Sequence, residues 1–548
     1  MSPQALFKKL LLRPTPDETL ELLRQLALVK HTAKTLLVYH DQLLFYKAYP
    51  VSDAVRRLAD RELAHFHERI TPELSDLMMQ TGIVGTKLYY AFDYGNARFV
   101  QGQLGRQVEL DWEDYENKEH DPLAGLLWLL LEPAEADAAD SEALTVRDIL
   151  ERAAGGDTVL SLLLDRFAQA FPGQVGDHLY NEASLMVGAT LTPAGPSRTR
   201  TALPRPKELW IWSPELAKQK YDFATEIAKP LELPPPVSPK RGQELLNVVH
   251  GTLTVRLREY YGATHGNPAE LYEIQLDRGG TLLLWFNTVE WRLPIEAGWG
   301  FMMLKNGVPI SYGGGGMHPA RLEIALNLFD TFRGGEAAWI YGSLVRAARA
   351  FCPAPWVVAR KYQIGYENDE ALASGAYWFY DKLGLRSTDA KLRKLVEAER
   401  KKVLAKKGYR APLTSLKKIA DADIALSLKH QETALYKEYP LEDVALLAAD
   451  VLAKLGPRDG GFSKRILKAV EDRLGQALPA MTPHERFWVA QQGAYLLALD
   501  ESKSWNASQR TTWLAMARGK GGARESEYLW NAAQLAGFWD ALARAAAK

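Results

Sequence analysis

The segment from 321 to 385 constrains the fold most. Its first part, RLEIALNLFDTFRGGEAAWIYGSLVRAARAF, reads as a strand, a glycine turn and a helix. Its second part, PWVVARKYQIGYENDEALASGAYWFYDKLGL, reads as another strand and a helix that stops at Gly384. The first helix puts Ile340, Leu344, Ala348 and Phe351 on one face, so it can pack on a sheet. Two strands joined through a helical crossover run parallel. A strand that feeds an Arg-Gly-Gly turn at the mouth of a helix can also hold a phosphate group. The backbone N–H groups of the turn point at the anion, and the helix dipole favours it.

The chain around this unit divides by pattern. Residues 1–228 read as a mainly helical N-terminal domain, with apolar residues at spacings of three and four in 17–49 and 52–70. Residues 133–144 and 192–206 read as loops. The segment 229–240, KPLELPPPVSPK, is a proline-rich linker that favours an extended spacer. From 241 to 386 the pattern changes to α/β. TLLLWFN at 281–287 is a strand candidate, and the apolar runs 299–305 and 308–314 flank Asn306-Gly307, a strong hairpin signal. With 321–329 they predict three antiparallel strands, the second joined to the third by a bent or mobile run of glycines at 313–316. Residues 387–548 read as a helical C-terminal domain.

Composition excludes little but bounds the class. Lys+Arg and Asp+Glu are both 67, so global charge points to no nucleic-acid or membrane partner. A single cysteine, Cys352, rules out an internal disulfide and any metal site built on cysteine spacing, and it reads as a small buried hydrophobe in a reducing compartment. His65 and His67 point to different faces of a predicted helix, so no metal is expected. The apolar run at 123–131 is too short to span a bilayer, and the first residues lack a signal-peptide pattern. The expected location is the cytoplasm.

The motifs of 299–386 resemble the core of the GCN5-related N-acetyltransferase (GNAT) superfamily. There, a central strand leads into a loop of pattern Gln/Arg-x-x-Gly-x-Gly/Ala. Here the loop is Arg333, Gly334, Gly335, Glu336, Ala337 and Ala338, with Glu336 standing in place of the middle glycine. Asn368 follows the second strand, where the superfamily often has an asparagine. Tyr380 lies in Tyr-Asp-Lys-Leu-Gly-Leu, similar to the superfamily's Tyr-x-Lys-x-Gly-Phe. The resemblance implies an α/β fold with a mixed sheet, whose parallel strands separate to admit the pantetheine arm of acyl-coenzyme A. It implies transfer of an acyl group to a small-molecule or peptide amine, with residues 333–338 and Asn368 at the cofactor. Tyr380 would be the acid that protonates the departing thiolate, and Glu323 the base. The superfamily sheet ends with two further strands. No strong strand pair follows Leu385, so the sheet is expected to be completed elsewhere or truncated.

Each of these residues has a plainer reading. The loop can be a tight turn without ligand, Tyr380 a packing aromatic, and Glu323 an ion-paired strand residue. Glu336 sharpens the choice: it points away from the loop, or no pyrophosphate binds there. Two other functions stay open. One is a scaffold or binding module that keeps the fold without catalysis. The other is an aminoacyltransferase that uses charged transfer RNA, with the basic segment 391–410 as its contact surface.

Overall fold

The computed structural model describes residues 1–12, 14–213, 221–333, 336–406, 408–429 and 435–547. It is a mixed α/β protein. A three-stranded antiparallel sheet of β1 (Lys87–Tyr90), β2 (Val108–Leu110) and β3 (Val187–Thr190) has the order β1-β3-β2. The large sheet holds β4 (Gly266–Gln275), β5 (Gly280–Asn287), β6 (Ala297–Lys305), β7 (Val308–His318), β8 (Arg321–Glu323), β9 (Ala325–Leu328), β10 (Trp356–Ala359), β11 (Arg386–Ser387) and β12 (Ile424–Ser427). Its order is β11-β12-β10-β8-β7-β6-β5-β4, with β9 paired to β7 alone.

The 321–359 unit keeps the expected strand–helix–strand order, but the single strand expected over 321–329 is broken at Ile324 into β8 and β9. β8 and β10 pair in parallel, joined by the helix Ala337–Phe351. Ile340, Leu344, Ala348 and Phe351 are all fully buried, and Phe351 meets the rings of Tyr272 and Phe286 at 4.8 and 5.2 Å. Asn306 and Gly307 both take positive φ, 47° and 81°, as a tight hairpin turn requires. The Asn306 side chain donates to Ala48 O and Trp210 O, and its Oδ1 accepts from Trp210 N, so the turn is tied beneath the N-terminal residues.

The glycine run departs from expectation. Residues 313–316 lie inside β7, and the connection to β8 is Pro319-Ala320. The glycines are there because no side chain fits. A Cβ on Gly315 would sit 2.2 Å from Glu323 O, and one on Gly314 would sit 2.0 Å from the Tyr260 hydroxyl, which lies across the strands and donates to Trp299 O. Two strands do follow Leu385. They are short, and the helices Ala390–Ala405 and Leu413–Ile419 separate them, so no alternating pattern marks them in sequence.

Packing draws different lines from the expected domain bounds. Buried residues between 6 and 84 share one core with the large sheet, whereas those between 88 and 191 close a second core around the small sheet. The proline-rich 229–240 is no free spacer: Val237 N–H donates to Leu271 O, and Leu231 and Leu233 pack on the main core. At the other edge, the C-terminal helices join through buried charges. Glu270 of β4 accepts from Glu525 N and Ser526 N, at 2.6 and 2.8 Å, and Arg292 donates to Lys520 O and Gly522 O. Among the described residues no helix is long and apolar enough to cross a membrane.

Two stability measurements test this reading. Gly315→Ala forces β7 and β8 apart and should cost about 2 kcal/mol or more in urea unfolding. Gly102→Ala, in the helix Tyr94–Leu104 with open space at the Cβ, should gain about 0.5–1 kcal/mol. The second concerns the seam between the cores, where Glu259 accepts from Asp93 N at 2.7 Å. Burial and the Asp93 charge push the Glu259 carboxyl up from 4.5 to about 6. A carboxyl raised on folding favours the fold at pH below its unfolded value and loses that contribution as pH rises through about 6. Glu259→Gln should therefore be more stable than the parent at pH 8, by about 1 kcal/mol after solvent screening, and level with it near pH 4.

Candidate functional site

The parallel contact between β8 and β10 lasts two residues, Leu322 opposite Val357 and Glu323 opposite Val358. Ile324 N–H still reaches Val358 O at 3.1 Å, and beyond it β9 follows β7 only. A cavity of about 490 Å³ opens along β9, beyond the end of that contact, and no residue of β8 or β10 lines it. Its walls come from β9, the start of the helix Ala337–Phe351, the short helix Asp369–Ser374 and the helix Ala376–Lys382. A further wall comes from outside the predicted core: Gln80, Thr81, Arg198, Arg256 and Arg258.

Tyr380 lines the cavity and is otherwise buried. Its ring meets Tyr341 edge-on at 5.3 Å. Burial pushes its hydroxyl up to about 12, a hydrogen bond with the Leu326 backbone working the other way. The phenol therefore holds its proton across the neutral range. Asn368 lines the cavity as the cap of the helix Asp369–Ser374, its Oδ1 accepting from Ala371 N at 3.0 Å and its amide donating to Tyr362 O.

The loop is only partly at the cavity. Arg333 and Ala337 line it, and Ala338 is half-buried off the lining. Gly334 and Gly335 lie outside the described residues. Arg333 is held by Asp330 at 2.8 Å and Glu370 at 2.6 Å, and Glu370 also pairs with Arg258 at 3.3 Å. Glu336 turns away. Its carboxylate bonds Lys305 Nζ, and Arg278 lies 3.2 Å away. Lys305 is fully buried among the rings of Trp210, Trp339 and Tyr49, 3.7 to 5.2 Å from its ammonium. Burial holds it down to about 8, and Glu336 opposes that fall. A carboxylate spent on a buried ammonium is not presented to an anion in the cavity.

Glu323 is not brought to the cavity. Arg360 Nε donates to it at 2.8 Å and Arg321 lies 3.4 Å away, in a cluster that also contains Glu296, Asp423 and Glu438. Sequence reasoning missed the arginines. Arg256 and Arg258 stand either side of Leu257, which takes φ 53°, and Arg198 comes from a loop read as irregular. The only local signal is the Arg-x-Arg spacing. Of the basic segment, Arg400 pairs with Asp381 and Glu397, Lys402 pairs with Glu399, and Arg393 donates to Ser387 O. Among the described residues no group of three His, Cys, Asp or Glu could hold a metal ion.

Comparison with known protein families, curated proteins and solved structures finds no match to this chain.

Glu336→Gly tests the arrangement. It leaves Lys305 buried without its carboxylate and should cost about 3–5 kcal/mol of stability at neutral pH. Affinity for an anion in the cavity should change by less than about tenfold, a minor backbone effect. A strong gain in coenzyme A affinity with unchanged stability would mean that Glu336 faces the ligand.

Proposed function

We propose that the chain is an acyltransferase of GNAT type, which moves an acyl group from a coenzyme A thioester to an amine. The observation that carries this reading is β9, free of β10 and paired to β7 alone, running along a cavity with Tyr380 in its wall. The strand order supports it too. A parallel pair joined by a helix, with two short antiparallel strands beyond it, is the arrangement the resemblance implies.

The residues divide the work as follows. The edge of β9 that β7 does not cover lies along the cavity and offers backbone groups to an extended amide-bearing arm. The first N–H groups of the helix Ala337–Phe351 have no partner within the helix and face an anion at that end. Tyr380, protonated at neutral pH, donates toward the sulfur as the C–S bond breaks, where charge develops. Holding thioester and amine side by side supplies much of the barrier reduction. The acceptor is a small-molecule or peptide amine.

The placement of Glu323 favours a second reading. Tied to Arg360 and Arg321, it offers no base at the cavity, and the two lining carboxylates, Asp330 and Glu370, are ion-paired. A fold that binds the ligand without catalysis accounts for this. A transfer-RNA contact on 391–410 gains less support, because several of that segment's cations are paired internally.

Kinetics with an acyl-coenzyme A panel and a mixed amine pool, reading thiol release, tests the first reading. Tyr380→Phe should lower turnover about a hundredfold or more while changing coenzyme A affinity less than about threefold, because the hydroxyl acts in the transition state. Calorimetric coenzyme A binding without turnover would favour the second reading, and no binding at all would end both as stated.

A further inference from the structure

The guanidinium of Arg256 lies on the face of the Phe329 ring, 4.3 Å from its centre, inside the cavity wall. Its one protein acceptor among the described residues is Thr252 O, at 2.9 Å, and no carboxylate lies within ion-pair distance of it. Burial, with the neighbouring Arg198 cation, pulls Arg256 down to about 9, and the Asp41 carboxylate, which is itself bonded to Arg198, opposes that fall without pairing with Arg256. Arg198 gives one arm to Asp41 at 2.7 Å and another to Thr81 O, and its Nε is buried without a partner. Arg258 and Arg333, the other two arginines on the lining, share Glu370. Arg198 and Arg256 share one carboxylate, which only Arg198 contacts, and this leaves Arg256 without an ion pair of its own, a costly arrangement that an arriving anion relieves.

The backbone is bent where Arg256 and Arg258 reach the same cavity. Leu257 sits in the left-handed region at φ 53°, a conformation that costs a non-glycine residue free energy and persists only when its surroundings hold it. The bend lets Arg256 and Arg258 both reach the cavity while Leu257 packs on the core of 88–191. Gly82 locks the two arginine segments together. Arg198 N–H donates to Gly82 O at 2.7 Å, and a Cβ on Gly82 would lie 2.0 Å from Val255 O.

We infer that Arg256 and Arg198 form an anion clamp for a phosphate-bearing ligand, closing the cavity opposite the start of the helix Ala337–Phe351. Guanidinium forks match phosphate oxygens, and two of them with a helix start suit a doubly charged group better than a single carboxylate. The inference rests on the acyl-coenzyme A reading for the identity of the carrier, not for the presence of the phosphate. On that reading, a segment outside the transferase-like core neutralises the pyrophosphate where Glu336 has replaced the loop glycine.

Calorimetry at low salt with inorganic pyrophosphate, coenzyme A and pantetheine tests it, on the full chain and on Arg256→Met. The variant keeps the length of the side chain and removes an unpaired charge, so its thermal stability should equal or exceed that of the parent. Pyrophosphate should bind the parent and weaken at least about tenfold in the variant, the loss of a charge-assisted contact. If the variant fails to fold, modification of the parent by phenylglyoxal replaces it, and pyrophosphate should protect Arg256. No pyrophosphate binding to the parent, equal affinity in the variant, or no protection would overturn the clamp. Pyrophosphate binding without coenzyme A binding would keep the clamp and remove the acyl-coenzyme A reading. Coenzyme A binding unaffected by Arg256→Met would do the reverse.

Discussion

The short parallel contact between β8 and β10 is the constraint on which the site depends. Only Leu322 and Glu323 pair with β10, and Ile324 gives it one last hydrogen bond. β9 then stays with β7, because the glycines of β7 let the two backbones approach where any side chain would collide. The helix Ala337–Phe351 cannot follow either strand: its apolar face is buried in the core against Tyr272 and Phe286. A sheet held tight on one side and pinned by a helix on the other must open somewhere, and it opens along β9. Backbone groups at such an opening need water or a ligand as partner. Tyr380 stands at that edge, close to Leu326.

Charge then sorts the residues around the opening into those that are spent and those that are not. Glu336 serves Lys305, whose ammonium sits among three rings and would otherwise be buried alone. Glu323 serves Arg360 and Arg321, which bind together β8, the end of β10 and the segment at 438. Glu370 binds Arg258 to Arg333 across the cavity mouth. These pairs fix geometry and leave little charge for a ligand. Arg256 is the exception: burial disfavours its charge as it does that of Lys305, but no carboxylate pairs with it.

The parts of this arrangement legible in the sequence are those that local pattern controls. The crossover from 321 to 359 shows as helix periodicity between two apolar runs, and Asn306-Gly307 shows as the turn chemistry that positive φ demands. Tyr380 could be placed from the Tyr-Asp-Lys-Leu-Gly-Leu motif, on a helix that stops before Gly384, which takes positive φ. What failed was what depends on distant contacts. The glycines of 313–316 read as a flexible joint, yet they are strand residues whose side chains Tyr260 and the neighbouring backbones displace. The direction of Glu336 depends on Lys305, thirty-one residues earlier. β11 and β12 are two and four residues long, too short for an alternation to register. Beyond the Arg-x-Arg spacing at 256–258, nothing in the local pattern marks Arg198 or Arg256 as cavity residues.

The N-terminal half therefore belongs to the site rather than standing beside it. Helices of the first 77 residues lie in the main core, and Asp41 on one of them holds Arg198. The second core supplies the packing that keeps Leu257 in its left-handed bend. Glu259, two residues on, is bonded to Asp93 of that same unit. A shift of the 88–191 unit against the sheet would thus move Arg256 and Arg258 together, since both hang from one strained turn between the two cores.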